Sequence, residues 1–239
     1  MSGQATEDVA GVSQQVLQRL LGRQSDSFDV LEVAFLKAAL DSASYYEARM
    51  RSAPAFANKL DLLSYAIRLA KVDGLYLEFG VGAGETINHI AAQVDKDRPV
   101  FGFDSFTGLP HVWRTGFAKG FFAQSTLPIV PDHVILIQGD FNDTIPEFLE
   151  AQSESVAFVH IDCDLYSSTQ SLLKQLGSRI REGTIIVFDE YFNFPGWQQD
   201  EFKAFQEFVE DRNLAYDYIG FVPSHQQAAV CITRGPTIT

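Results

Sequence analysis

Cysteine is nearly absent from this chain: its 239 residues contain only Cys163 and Cys231, too few for a disulfide framework or a thiolate metal site. A reducing compartment, the cytoplasm, is the expectation. Basic charge is scarce too. The 18 Lys and Arg against 31 Asp and Glu leave a formal net charge of -13, and no cluster of cations forms a positive stripe, so nucleic acid and anionic membrane surfaces are poor partners. No apolar run approaches the ~18 residues of a membrane span. The opening "MSGQATEDVAGVSQQ" has neither the basic nor the apolar region of a classical signal peptide.

What is present reads as one α/β domain. Residues 1–73 form an arm and helices that cover the core or make a homo-oligomer contact: a weak stripe through Val9, Val12, Val16, Leu17 and Leu20, then "FDVLEVAFLKAALDSASYYEARM" and "NKLDLLSYAIRLAKV" with apolar residues three and four apart. Residues 74–239 form the core. Short apolar runs "LYLEF", "VFGFD", "VILIQ", "VAFVHI" and "TIIVF" alternate with helical stretches such as "ETINHIAAQV" and "TQSLLKQLGSRI". The runs do not alternate in polarity, as expected for parallel strands buried on both faces. This predicts a doubly wound, mostly parallel sheet. The tail "YDYIGF" and "QQAAVCITR" adds an antiparallel hairpin, the sheet pattern of a class I methyltransferase.

The first strand ends in "LEFGVGAGET". Gly80, Gly82 and Gly84 let a ligand approach the backbone at a strand-to-helix turn, and the helix behind them, with Thr86 in its first turn, presents unpaired N–H groups. A dinucleotide fingerprint needs a third glycine at 85 or 87, where Glu85 and Ile87 stand. The nicotinamide reading weakens accordingly. Glu78, two residues before the first glycine, suits a cofactor end bearing an ammonium group, such as that of S-adenosyl-L-methionine. Asp104, followed by Ser105, closes the second strand where an acid accepts from ribose hydroxyls, or else caps the next turn. Asp140 and Phe141 lie in the same row and can meet an adenine ring, with Asp143 or Thr144 expected to cap the following helix and Pro146 in its first turn.

Strand C-termini share one edge in such sheets. Glu78, Asp104, Asp140, Asp162, Asp164, Asp189 and Glu190 all fall there, more acids than capping uses. Asp162, Asp189 and Glu190 converge if the fourth and fifth strands are neighbours. An all-oxygen set favours a hard divalent ion, Mg²⁺ first, with Mn²⁺ and Ca²⁺ fitting the same donors. The competing reading is that each acid caps a helix or answers an Arg, although Ser167 or Ser168 already offers a cap for the helix that follows. Among the histidines, His160 reads as a core residue of the fourth strand, while His111 and His225 fall in loops near the site. The aromatic and glycine-rich segment from Phe101 to Phe122 reads equally as a lid carrying Trp113 and Arg114 or as ordinary packing. Phe202, Phe205 and Phe208 form a core stripe.

Taken together, "LEFGVGAGET", "GFDSFTGLP", "HIDCDLYSST" and "VFDEYF" resemble the macrocin-type O-methyltransferases, which methylate deoxysugar hydroxyls of macrolide and aminocoumarin antibiotics. The resemblance covers roughly residues 60–235; its most specific part is D-x-D-L-Y followed 27 residues after Asp162 by an acidic pair. It implies that Asp162, Asp189 and Glu190 bind Mg²⁺, that Asp164 is the general base, and that the acceptor is a small-molecule hydroxyl. Many members carry Asp-Asp where this chain has Asp189-Glu190. A catechol or other vicinal diol is the second acceptor class. A nicotinamide-dependent oxidoreductase and a non-catalytic cofactor-binding protein are the remote alternatives.

Overall fold

The structure, a computed structural model, describes residues 28–234. The expected stripe from Val9 to Leu20 lies outside the described residues. Two helices precede the sheet, α1 (Val30–Arg49) and α2 (Lys59–Leu69), capped by the side chains of Asp29 and Asn58. The strands follow as β1 (Leu75–Phe79), β2 (Val100–Asp104), β3 (Val134–Gln138), β4 (Val156–Ile161), β5 (Ile185–Phe188), β6 (Ala215–Phe221) and β7 (Ala228–Arg234). Between them lie α3 (Glu85–Ala91), α4 (Phe141–Ala151), α5 (Tyr166–Leu176) and α6 (Glu201–Arg212).

All seven strands form one sheet in the order β3-β2-β1-β4-β5-β7-β6. β1 to β5 run parallel, and β7 joins β5 antiparallel and pairs with β6 as a hairpin. The order reverses between β1 and β4, and the crevice above such a reversal is where open α/β sheets bind ligands. Strand residues alternate between two apolar layers. Leu77, Phe79, Val159, Ile161 and Phe188 pack with Ile145 of α4, Leu172 of α5 and Phe205 of α6. On the other face, Tyr76, Phe158 and Val187 pack with Leu62 and Leu63 of α2 and Ile87 of α3. Burial on both sides is why these strands read as unbroken apolar runs. No helix among the described residues is long and apolar enough to cross a membrane.

Two helix starts differ from the sequence expectation. Asp140, not Asp143 or Thr144, caps α4, its carboxylate accepting from the Asn142 amide at 2.8 Å. The helix therefore begins at Phe141 and Pro146 sits inside it, past the first turn. α5 begins at Tyr166 with Leu165 as its cap residue and no side-chain cap bond, so neither Ser167 nor Ser168 serves that role. Asp164, with φ 63°, turns the chain just before it, and the Leu165 carbonyl accepts the first helical bond from Thr169.

Candidate active site

The strand ends form a single edge because backbone bonds tie each to its neighbour. The Gly80 amide donates to Phe103, Asp162 to Phe79 and Asp189 to Ile161, all between 2.8 and 2.9 Å. Above this edge lies a cleft of about 480 Å³, within the range of small-ligand pockets. Gly80, Gly82, Thr86, Asp104, Ser105, Asp140, Phe141, Asp162, Asp164, Asp189 and Glu190 line it.

The glycine turn is shaped by close approach. A Cβ on Gly80 would stand 1.7 Å from the Asp162 carbonyl oxygen, and its φ is +93°; only glycine fits there. Gly84 has a packing role instead, since a Cβ there would meet Pro128 at 2.6 Å. It is not among the cleft-lining residues. Asp104 holds the turn: one carboxylate oxygen accepts from the Val81 and Gly82 amides at 2.9 and 2.8 Å, and the other from Phe106 at 2.7 Å. The turn-capping reading of Asp104 is therefore realised in the geometry, and the side chain still borders the cleft.

Glu78 is placed differently from the expectation. It is fully buried, does not line the cleft, and Oε1 is hydrogen-bonded to His160 Nδ1 at 2.8 Å. The reason is strand register: Glu78 and His160 are opposed on β1 and β4 and face the α2 side of the sheet. His160 is thus more than a filled core position. Its Nε2 has no hydrogen-bond partner among the described residues and lies 3.8 Å from Asp189 Oδ1, itself buried and without a hydrogen bond.

The acids divide into two groups whose candidate ligand atoms lie within 4.8 Å of one another, His160 with Asp162 and Asp189, and Asp162 with Asp164 and Glu190. Asp162 is common to both, while Asp189 and Glu190, adjacent in sequence, belong to different groups, so the expected trio of Asp162, Asp189 and Glu190 does not form one group. Burial and the neighbouring Asp189 push the Asp162 carboxyl well up. Burial likewise drives Asp164 up to about 7, against the pull of Arg114. Glu190 is raised by burial and by Asp189 and Asp162. Asp189 moves the other way: although burial opposes its charge, His160 and Lys59 bring it down to about 2. Burial disfavours a charged His160, but Asp189 and Glu78 outweigh it and raise the imidazole to about 10.

Two residues of this site carry no sequence signal. Lys59, at the start of α2, lines the cleft with its Nζ 3.8 Å from Asp189 Oδ1. Glu201, the first residue of α6, is fully buried, and its Oε2 accepts from the Glu190 amide at 3.1 Å. Arg114 belongs to the aromatic segment, stacked 3.8 Å from the centre of Trp113 and 4.7 Å from that of Phe194. The segment also reaches α6 through Trp113 Nε1 and Asp200 at 3.4 Å. Leu109 and Pro110 before the Trp113-Arg114 pair and Phe122 after it supply a wall of the cleft, whereas Trp113 and Arg114 do not line it. Cys163 turns its Sγ to Thr169 Oγ1 at 3.3 Å.

Residues 77–191 match the family model described as a methyltransferase domain. That stretch is similar to a methyltransferase domain. The matched part begins within β1 and ends one residue after Glu190, so it contains the glycine turn and both acid groups. The chain is 28% identical over 159 residues to 8-demethyl-8-(2,3-dimethoxy-alpha-L-rhamnosyl)-tetracenomycin-C 4'-O-methyltransferase of Streptomyces olivaceus, covering 56% of this chain and 60% of that protein. It is 28% identical over 130 residues to demethyldecarbamoylnovobiocin O-methyltransferase of Streptomyces niveus, covering 46% and 48%. Each match spans less than two thirds of the relative. The crystal structure of CalS11, calicheamicin methyltransferase, has the same fold with a TM-score of 0.60 at 23% identity, over 87% of this chain and 99% of that one.

Proposed function

We propose that this chain transfers a methyl group from S-adenosyl-L-methionine to a hydroxyl of a small molecule, a sugar or glycoside of secondary-metabolite or glycan biosynthesis, with the help of a divalent ion. The carrying observation is that one cleft joins the glycine turn at Gly80 and Gly82 to the carboxylates of Asp162, Asp164, Asp189 and Glu190. Both relatives are named as O-methyltransferases, and the name of one specifies a rhamnosyl substrate. The adenosine part lies toward Asp104, Asp140 and Phe141, the methionine part toward the glycine turn and Thr86.

Buried oxygens without hydrogen bonds, Asp189 Oδ1 and Glu190 Oε2, fit a cation better than they fit solvent or packing. Asp162, common to both groups, is the central residue to hold it, with Asp189 from one group or Glu190 from the other beside it. An ion bound there supplies charge that lowers the pKa of an alcohol and orients it, the function of Mg²⁺ or Mn²⁺ in such sites. Asp164 stands beside them, 9% exposed, and takes the hydroxyl proton as the oxygen attacks the methyl carbon and the sulfonium leaves as S-adenosylhomocysteine. Its left-handed backbone, unusual for a residue with a side chain, turns the chain at the entry to α5, and the residue lines the cleft. Phe122, Leu109 and Pro110 give the cleft an apolar wall.

The test is calorimetric binding of S-adenosylhomocysteine followed by methylation of rhamnosyl and other deoxysugar glycosides with and without chelator. Transfer is expected only with divalent metal. Failure to bind S-adenosylhomocysteine refutes the cofactor assignment, and undiminished transfer in chelator refutes the metal.

A further inference from the structure

We propose that His160 is a nitrogen ligand of the divalent site, joining Asp162 and Asp189, with Glu78 bonded behind it. This rests on the reading that these acids hold a divalent ion, and adds a ligand to it.

The argument starts from strand parity. Glu78 and His160 face the same side of adjacent parallel strands in register, and Asp162, two residues on from His160, continues that column toward the cleft. Asp189 stands next to it at the end of β5, two residues beyond Val187, the register partner of His160. Glu78 Oε1 binds the imidazole at Nδ1, 2.8 Å away, in an environment with no exposure for either side chain. With Nδ1 committed to Glu78, Nε2 is the ring atom left to face Asp189. Both Nε2 and Asp189 Oδ1 are buried without a hydrogen bond, and a cation between them would satisfy both.

Two cations meet that need, a proton or a metal. A proton shared as a charged hydrogen bond brings nitrogen and oxygen to about 2.8 Å. Here Nε2 and Oδ1 are 3.8 Å apart. Two ligands each ~2.1 Å from one ion stand roughly 3 to 4 Å from one another, which is the spacing seen. Lys59 does not fill the place, because its Nζ is also 3.8 Å from the same oxygen. A His bonded through its other nitrogen to a carboxylate is the recurrent outer-shell arrangement of metal-ligating imidazoles. Loading the ion displaces any Nε2 proton to solvent.

The experiment uses the full chain, stripped with chelator, reloaded with Mn²⁺, and examined by pulsed electron paramagnetic resonance with natural and ¹⁵N-labelled histidine. Of the chain's five histidines, all described, His160 alone belongs to a ligand group. The expected spectrum carries the modulation of one imidazole nitrogen, shifted by the label and lost in His160→Gln. Should that variant not fold, the labelled wild-type spectrum still decides, and Glu78→Gln is expected to weaken Mn²⁺ binding 10- to 100-fold. Mn²⁺ bound with an all-oxygen signature overturns the His160 assignment and leaves the acids as ligands. Absence of both Mn²⁺ and Mg²⁺ binding by calorimetry overturns the divalent site itself. Unchanged affinity in Glu78→Gln overturns the supporting role of Glu78.

Discussion

Removing divalent metal should make this protein less stable as pH rises from 5 to 8. In the folded chain, burial raises the carboxyls of Asp162, Glu190 and Glu201 well above their ordinary range and Asp164 from 3.8 to about 7. Unfolded carboxyls have already lost their protons by pH 5, so across this window the folded state holds the extra protons and stability falls with pH. The contribution is fully present below the unfolded value and lost as pH passes the folded one. His160, raised from 6.5 to about 10, acts in the same direction above pH 6.5. Asp189, at about 2, is charged throughout and contributes no slope. For Asp164 alone the full displacement corresponds to on the order of 4 kcal/mol, at about 1.4 kcal/mol per tenfold change in proton affinity. About 3 kcal/mol of it falls between pH 5 and 8, a drop in Tm on the order of 5 to 10 °C for a chain of this size. Thermal unfolding followed by circular dichroism in chelator measures it. Excess Mn²⁺ or Mg²⁺ should restore the loss at pH 8 and do little at pH 5, where protons compete for the same oxygens. A Tm in chelator that is flat or rises over this range refutes the picture of crowded, protonated acids. Asp164→Asn should shrink the slope by that residue's share.

Asp164→Asn is also expected to lower kcat roughly 10²- to 10⁴-fold while S-adenosylhomocysteine affinity stays within about twofold; full kcat removes Asp164 as the base. Gly80→Ala and Gly82→Ala should separate sharply in urea unfolding. The first forces a Cβ into the Asp162 carbonyl and should cost on the order of 3 kcal/mol or more. The second, at φ +50° with nothing within 4 Å, should cost about 1 kcal/mol; equal losses would mean that the turn does not rest on β4. Glu201→Ala should destabilise by ~1–3 kcal/mol because the Glu190 amide loses its acceptor. Glu201→Gln, which keeps an acceptor and removes a buried acid, should raise the Tm of metal-free protein at pH 8, and a fall there would show that Glu201 is ionised in the fold.

The sheet was legible because its strands carry one signal each, an apolar run that stops at Glu, Asp or Gly, and because a parallel sheet sends all those stops to one edge. That logic placed Asp104, Asp140, Asp162, Asp164, Asp189 and Glu190 on the cleft without any knowledge of contacts. It failed for Glu78 because where a strand-end acid points depends on parity, and Glu78 lies inside β1, one residue short of its end. Lys59 and Glu201 were out of reach for another reason. Each reaches the site from the start of a helix, α2 or α6, whose docking is decided by tertiary packing of Leu62, Leu63 and Phe205 and by no local pattern.

His160 lies between these cases and shows how a strand can be read more closely. Within "VAFVHID" the apolar run hides a polar residue two positions before Asp162, and side chains two apart on a strand share a face. A histidine at that spacing from a strand-end acid stands directly beneath it in the sheet, whatever the neighbouring strands do. What the run alone leaves open is the partner on the far side of the ring. That came from the pairing of β1 with β4, which sets Glu78 opposite His160. The same register fixes the ring's orientation through Nδ1, so the free nitrogen faces Asp189. The donor set of this site thus follows from two alignments, one within a strand and one between strands, and shifting either by one residue would turn His160 to the opposite layer with Val159 and Ile161.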